Sequence, residues 1–412
     1  MLEDGVSAPE VNSLSWTRSP EILQGIRVLE LADETASFCG KLLADLGAEV
    51  VKVELPGADA SGGACDASRL PLQRASFSYH NCGKRSITLD FKQAAGLDIL
   101  LDLVSRSDVV LESFSPGVMG KLGMSYEALQ ARNSRLILAS VTGFGQSGPR
   151  SHWKSCDLVA AACGGQVHVT GTPGQEPLKL AGTQALYLGS LHAALGIVMA
   201  IIQRDATGQG DHLDISLQEA VASGLDHVLV RYFNGGEVAN RCGSRTWNAL
   251  SFITPCLDGW LQIFPFQQWD TLVGWMDSEG MAGVLTDPIY QDTEYRRTHF
   301  DEIVEVISRW SCLHARQELF ETGQLMGFPW GPVSTLQEVL ESPQLKQRDF
   351  FVSLQEGPSD LLRQPSPPYV FLSETASVHR SLPPGLGSRQ ILREELGITD
   401  AELTRLASMG VI

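Results

Sequence analysis

The sequence predicts an α/β protein with a Rossmann-like parallel-sheet large domain over 1–225 and a smaller α+β domain over 226–345. Residues 346–412 are expected to form a linker and a C-terminal segment. Two observations carry this. Up to about residue 225, short runs rich in Val, Ile and Leu alternate with helical patterns of ten or more residues. Parallel neighbours need a long crossover, so this alternation indicates a parallel sheet flanked by helices. The texture then changes: polar, Trp-containing segments such as CLDGWLQIF and QQWDTLVGWM alternate with long helical patterns. A chain of 412 residues is long enough for two or three domains with a substantial core.

The elements follow in order. IRVLEL (26–31) reads as the first strand, and a helical pattern through Phe38, Leu42, Leu43 and Leu46 stops at Gly47. AEVVKVEL (48–55) is the second strand. ITLDF (87–91), a helix from Ala94 to Val104 and DVVLES (108–113) continue the alternation. A short helix from Tyr126 to Arg132 leads into RLILASVT (135–142). Residues 157–203 read as largely helical, and HLDISL (212–217) adds a last strand. GPSDLLRQPSPPYVF is Pro-rich and loop-like. The tail ends in a helix with Thr399 as N-cap and Glu402 three residues on, the spacing of a capping box. Low complexity is confined to the Gly/Ala-rich stretch 57–64.

Forty-eight acidic against 31 basic residues leave a net charge near −17. Such a field repels phosphates, so a broad nucleic-acid or anionic-membrane surface is excluded as an expectation. An anionic ligand must then be caught by a local basic patch or by backbone N–H groups. The acids are unevenly spread, and 177–204 contains none. The longest near-apolar run, LGSLHAALGIVMAII (188–202), is shorter than the roughly 18 residues of a membrane span. His192 interrupts it, so a buried core helix is expected. The start, MLEDGVSAPEVNSL, is acidic and polar, unlike a secretory or transit peptide. Eight cysteines show no C-x-x-C pair and no zinc spacing, which fits structural thiols in a reducing cytoplasm and no metal site.

Three motifs invite chemistry. GFGQSG (Gly143–Gly148) is a literal G-x-G-x-x-G after a strand, whose glycines would let backbone amides approach a phosphate. It follows a late strand, Pro149 replaces an opening helix, and no acid closes a strand about 20 residues on, so dinucleotide binding is disfavoured. NCGKRSITLD packs two cations into a turn. It is either a solvated turn or an anion clamp, with Lys84 as point charge and Arg85 as fork donor beside Gly83. HWKSCD gathers His152, Cys156 and Asp157, but no oxyanion loop accompanies a cysteine nucleophile there. Trp247, Phe264, Phe266 and Trp269 could line an aromatic pocket, with core packing the favoured use.

Several long segments, in collinear order over about 22–412, resemble class III CoA-transferases, the superfamily of formyl-CoA transferase, carnitine CoA-transferase and α-methylacyl-CoA racemase. They are ILQGIRVLELA, KLLADLGAEVVKVELPG, NCGKRSITLDFK, ESFSPGVMGKLGMSYEAL, ILASVTGFGQSGP and RDATGQGDHLDISLQEA. In the second half come LDGWLQIF, FPWGPVSTLQEVLESPQLKQRDFF and PPGLGSRQILREELGITDAEL. The resemblance implies a ring-shaped monomer whose C-terminal segment returns to the large domain, interlaced with a second chain. It implies CoA, or an acyl-CoA, as substrate rather than as a resident cofactor. Carried over residue by residue, Asn81, Gly83 and Lys84 fall in a CoA-contacting turn, with Arg85 beside them. Ser113, Phe114 and Ser115 stand where the family has Asn-Phe-Arg. Lys121 holds a basic position, and Gly143, Phe144 and Gly145 form the loop along the thioester arm.

The departures are specific. In the family an Asp attacks the acyl-CoA thioester and forms a mixed anhydride, then an acyl-CoA with its own carboxylate. The matching stretch here, PLKLAGTQALYLGSLHAALGI, puts Leu186 at that position, and no shift of register finds a carboxylate. Gln184 and Tyr187 can hydrogen-bond but cannot form an anhydride. The racemase variant fails too: Lys154-Ser155-Cys156-Asp157 places Cys156 where its His stands, and Asp157 matches a neighbouring Asp expected to be structural. Ala36-Ser37-Phe38 replaces the usual A-G-P, and Leu55 replaces an Arg.

The expectation is therefore a cytoplasmic, non-catalytic subunit paired with an Asp-bearing paralogue. The pair would move CoA from a donor such as succinyl-CoA to a carboxylic acid. A two-subunit family member acting on benzylsuccinate in anaerobic aromatic degradation resembles this arrangement. Two other readings stand: a homodimeric enzyme using another carboxylate such as Glu219 or Asp157, and a CoA-binding or scaffold protein without turnover.

Overall fold

The computed structural model of the chain describes residues 15–17, 21–56, 71–355, 361–373 and 387–412. The N-terminal stretch 1–14 and the Gly/Ala-rich stretch 57–64 lie outside the described residues. The chain divides into two compact units. The first comprises 1–165, 181–225 and 347–412; the second comprises 166–180 and 226–346. Residues 166–180 thus leave the continuous 1–225 block that sequence assigned to the large domain.

In the first unit, β1 (Ser15–Thr17) pairs antiparallel with Phe371–Ser373. The sheet proper begins with β2 (Arg27–Leu31), α1 (Ser37–Asp45) and β3 (Glu49–Glu54). It continues through α2 (Pro71–Asn81), β4 (Arg85–Thr88), α3 (Ala94–Ser105) and β5 (Val109–Glu112). Next come α4 (Val118–Lys121), α5 (Tyr126–Arg132), β6 (Ile137–Thr142) and α6 (Asp157–Cys163). The chain crosses to the second unit for α7 (Gln166–Val169), then returns for α8 (Gln184–Thr207), β7 (His212–Ser216) and α9 (Leu217–Ser223). All six strands β2–β7 are parallel, in the order β4-β3-β2-β5-β6-β7. Counted within the sheet this is 3-2-1-4-5-6, the doubly wound order, and it reverses between β2 and β5. The carboxyl ends of those two strands flank the crevice where such folds bind ligands.

Local chemistry explains the element ends. Gly47 stops α1 with φ +96, its N–H donating to Ala44 O. β4 begins at Arg85, two residues before the expected run, and ends at Thr88, whose partner is Glu54. The stretch 170–183 is not helical, which corrects the expectation for 157–203. Thr399 caps the last helix by accepting from Glu402 N, but the box is half made. The Glu402 carboxylate is drawn instead to the Arg405 guanidinium, which donates to both of its oxygens.

The helix α8 is 24 residues long, and by length and composition it is apolar enough to cross a membrane. It is not the fully buried core helix expected. Ala185, Gly189, Ala193, Ile197 and Ile201 are buried, while Leu191, Leu195, Met199 and Ile202 are exposed. The spacing of the exposed set, four, four and three residues, marks one stripe along the helix. The inner face packs so closely that a Cβ at Gly189 would meet the Leu217 side chain at 2.2 Å.

The C-terminal segment completes the first unit's core. Ile391, Leu392, Leu403, Leu406 and Val411 are buried with Leu29, Val51, Ile87 and Leu100. Glu395 is bound by Arg27 and by Arg85, and Asp90 N donates to Val411 O at 2.7 Å. The Pro-rich segment is partly strand: Phe351–Gln355 pairs antiparallel with Leu361–Pro365.

The second unit holds a three-stranded antiparallel sheet, Phe252–Cys256, Gly259–Ile263 and Gly331–Pro332. Its core gathers Phe252, Trp269, Trp310, Phe328 and Trp330. Trp269 and Phe266 serve this packing, under the guanidinium of Arg296. Trp247 instead lies exposed, stacked on His227 with Arg231 4.5 Å from its ring centre.

Candidate functional site

Glu30 and Lys52 are buried charges in the adjacent strands β2 and β3, and the parallel register sets them side by side. A buried charge must be paired and hydrogen-bonded. Lys52 Nζ donates to Glu30 Oε1 at 2.8 Å and to Ala32 O at 2.8 Å. Lys84, on the turn before β4, brings its Nζ to 3.0 Å from Oε1 and 2.8 Å from Oε2 of the same carboxylate. It also donates to Ser37 O, Ser37 Oγ and Asn81 Oδ1. The carboxylate fits because position 40 is glycine: a Cβ there would lie 1.8 Å from Glu30 Oε2. Burial alone would push the Glu30 carboxyl up, but the two lysines hold it below its ordinary value. Burial pulls Lys84 down to about 8, with Glu30 resisting.

This places the expected anion clamp. Lys84 is 2 % exposed and spends its charge on Glu30. The Arg85 guanidinium is engaged by Glu49 and Glu395, and so ties the C-terminal segment to the sheet. Both cations are thus already paired with internal carboxylates. Asn81 donates to Phe77 O and accepts from Ser37 Oγ at 3.3 Å. Gly83 is left-handed, φ +82, as the turn after α2 requires. A small cleft beside this turn is lined by Lys52, Phe77, Asn81, Lys84, Arg85 and Ser86.

The other expected residues follow β5 and β6. Ser113 Oγ donates to Asp33 Oδ1 at 2.9 Å and accepts from Asp33 N at 3.0 Å, linking the ends of β2 and β5 where strand order reverses. Phe114 packs against the core and Phe91, and its N–H donates to Glu112. Ser115 and Lys121 are exposed. Lys121, at the end of α4, makes no ion pair among the described residues. The Gly143–Gly145 loop is shaped by the protein itself. A Cβ on Gly143 would strike Ser155 at 2.2 Å, and Gly145 has φ +84 over the Asp214 carboxylate. Phe144 stands edge-on to Trp153 at 6.4 Å. Gln146 N–H donates to both Asp214 oxygens, which removes that amide from any phosphate-cradling role.

Four helix ends converge around Leu186, the position that the resemblance matched to a nucleophilic Asp. Leu186 is half-buried in the first turn of α8. Thr183 offers that helix no side-chain cap; Asp157, at the start of α6, does so from 28 residues away. Its Oδ1 accepts from Ala185 N at 2.9 Å and from Leu186 N at 3.4 Å. The structural role expected of Asp157 is thus a tertiary N-cap. Cys156 is exposed beside it. Tyr187, next to Leu186, lies 3.1 Å by its hydroxyl from His80 Nε2 at the end of α2. Phe38, at the start of α1, meets Tyr187 edge-on at 4.7 Å and stacks on Tyr79 at 6.2 Å. Burial, then Lys84 and Lys41, pull His80 down to about 4; burial pushes the Tyr187 phenol up. The pair is neutral at neutral pH. Chemically the spot offers hydrogen bonds and aromatic surface, with no carboxylate on α8 before Asp205, near the far end of the helix.

The charged network and the Tyr187–His80 pair were both missed from sequence. Glu30 and Lys52 carried a signal, each being a charge flanked on both sides by apolar residues in a strand buried on both faces. Tyr187 and His80 are 107 residues apart and carried none.

Comparisons with known proteins agree with this architecture. The family model CoA-transferase family III matches residues 23–390. The succinyl-CoA:(R)-benzylsuccinate CoA-transferase subunit BbsE of Thauera aromatica is 30% identical over 94% of this chain and 97% of its own length. The succinyl-CoA–D-citramalate CoA-transferase of Chloroflexus aurantiacus is 31% identical over 97% and 100%. The crystal structure of a CAIB/BAIF family protein from Brucella suis superposes with a TM-score of 0.77 at 28% identity, covering 90% of this chain and 98% of that one. With the doubly wound sheet, the returning C-terminal segment and a family match across nearly its whole length, this chain belongs to CoA-transferase family III.

Proposed function

We propose that this chain is the non-catalytic subunit of a class III CoA-transferase, paired in an interlaced dimer or tetramer with an Asp-bearing paralogue. One observation carries the reading: the first turn of α8 presents Leu186 and Tyr187 where the family's nucleophilic Asp belongs, and 177–204 holds no acid. The donor is succinyl-CoA and the acceptor a dicarboxylic acid of the benzylsuccinate kind. The likeness to a protein itself described as a subunit of such an enzyme supports this. The exposed stripe Leu191, Leu195, Met199 and Ile202 supports a second chain seated against α8 rather than lipid. The seven described cysteines are all free, which supports a cytoplasmic setting. In this reading Ser113, Lys121 and the Gly143–Gly145 loop receive CoA at the strand-order reversal.

The test is to purify the chain alone and with the paralogue. The expected result is transferase turnover only in the mixed assembly. A stable homodimer of this chain with full turnover refutes the proposal. A second reading, a scaffold with weakened CoA affinity, is favoured by the internal pairing of Lys84 and Arg85 and by Ser115 and Leu55 at family arginine positions. Calorimetry with CoA separates the two, since the scaffold takes up none.

A further inference from the structure

We propose that the Tyr187–His80 pair is a neutral receptor for the carbonyl oxygen of an acyl-CoA thioester, with the Tyr187 hydroxyl as donor. The inference rests on the reading that this chain retains a CoA site. It adds what the remodelled first turn of α8 does with the reactive end of the ligand.

The geometry leaves little else for this spot to bind. Helix starts attract anions through free N–H groups, but here Asp157 takes those of Ala185 and Leu186. The negative charge of that cap further opposes a carboxylate. The lysines on the other side are committed: Lys84 to Glu30, and Lys41 to Asp45. What remains at this turn is half-buried Tyr187, whose ring is held edge-on by Phe38 at 4.7 Å and by His80 at 5.8 Å. An uncharged, weakly hydrated acceptor fits this surface, and a thioester carbonyl is one.

The proton inventory permits it. A neutral imidazole carries one N–H and one acceptor nitrogen. With the proton on Nε2, His80 donates to the Tyr187 oxygen and the phenol O–H is free to donate to the ligand. His80 keeps this form because its burial disfavours a charge and Lys84, Lys41 and Lys52 oppose one, against Glu30 alone favouring it. Lys41, on the neighbouring Tyr79 ring at 5.0 Å, and the buried Cys39 thiol add no acid to the site. The carbonyl would be held and polarised, while no bond to it forms or breaks on this chain.

The experiment uses the full chain with butyryl-CoA carrying carbon-13 at the thioester carbonyl, read by isotope-edited infrared spectroscopy. Free CoA, titrated by calorimetry, is the control. In the wild type the carbonyl stretch should move to lower frequency than in buffer. Tyr187→Phe should abolish that shift and weaken butyryl-CoA binding roughly two- to tenfold, the worth of one neutral hydrogen bond. Its affinity for free CoA should not change. His80→Gln, which still offers a neutral amide partner, should keep the shift. An unshifted carbonyl in the wild type, or a shift that survives Tyr187→Phe, overturns the inference. If free CoA itself fails to bind, the retained-site reading falls and takes this inference with it; if CoA binds with an unshifted carbonyl, the inference alone falls.

Discussion

Replacing Glu30 with glutamine removes one negative charge and almost no volume from between two buried ammonium groups. Glu30 is fully buried, and the side chains of Lys52 and Lys84 are 10% and 1% exposed. At separations near 3 Å and an effective dielectric of about 20, each attraction is on the order of 5 kcal/mol before desolvation. Burying the carboxylate costs several kcal/mol, which offsets much of this. What persists after the substitution is two positive charges without a counter-ion, a situation that costs about 3–5 kcal/mol. Lys84 can limit the damage by releasing its proton, having already been pulled down to about 8. The sign follows. A lysine with a folded value below its unfolded one binds fewer protons when folded, so stability rises with pH between the two values. The E30Q deficit should therefore shrink from pH 7 to pH 9. Pulse hydrogen exchange along a urea gradient, read on peptides covering β2 and β3, isolates this unit from the second. Adding Lys84→Met should recover a large part of the loss, as a double-mutant cycle. An E30Q protein within about 0.5 kcal/mol of wild type at pH 7, the range of ordinary surface changes, would refute the reasoning.

Asp157→Ala should destabilise by roughly 1–2 kcal/mol, the usual worth of an N-cap, whereas Asp157→Asn should lose less because it keeps an acceptor; urea midpoints for the two variants decide this. His80 should titrate near pH 4 by nuclear magnetic resonance of its labelled imidazole. Because its folded value lies below the ordinary 6.5, its contribution to stability is present above pH 6.5 and declines as pH falls toward 4; a midpoint near 6.5 would contradict the burial. Glu395→Gln removes the anchor for Arg27 and Arg85, and should speed hydrogen exchange across 387–412 with little change in β5 and β6.

The large domain was legible because its strands are buried on both faces. IRVLEL, DVVLES and RLILASVT are near-continuous apolar runs, a pattern that parallel sheets impose and helices rarely match at that length. The helix Tyr126–Arg132 and the strand His212–Ser216 fell where their caps and turns put them. Placing α8 wholly in the core failed for a physical reason: composition reports how apolar a helix is, not how many sides are covered. At the turn 81–85 the structure added partners that the sequence did not show. Two adjacent cations look like an anion trap only while the acids facing them, Glu30 from one strand and Glu395 from the far end of the chain, are out of view.

The same blindness bears on the missing nucleophile. Sequence locates the loss at Leu186 but treats it as a subtraction, and a subtraction alone would leave the amides at the start of α8 open to whatever carboxylate arrives. The structure removes that possibility, since Asp157 caps those amides and the flanking lysines are paired. A substrate carboxylate reaching this turn meets a capped helix and a neutral phenol. A Leu186→Asp carboxylate would sit beside the Asp157 cap and the desolvated His80–Tyr187 pair, with Lys84 and Lys41 already paired.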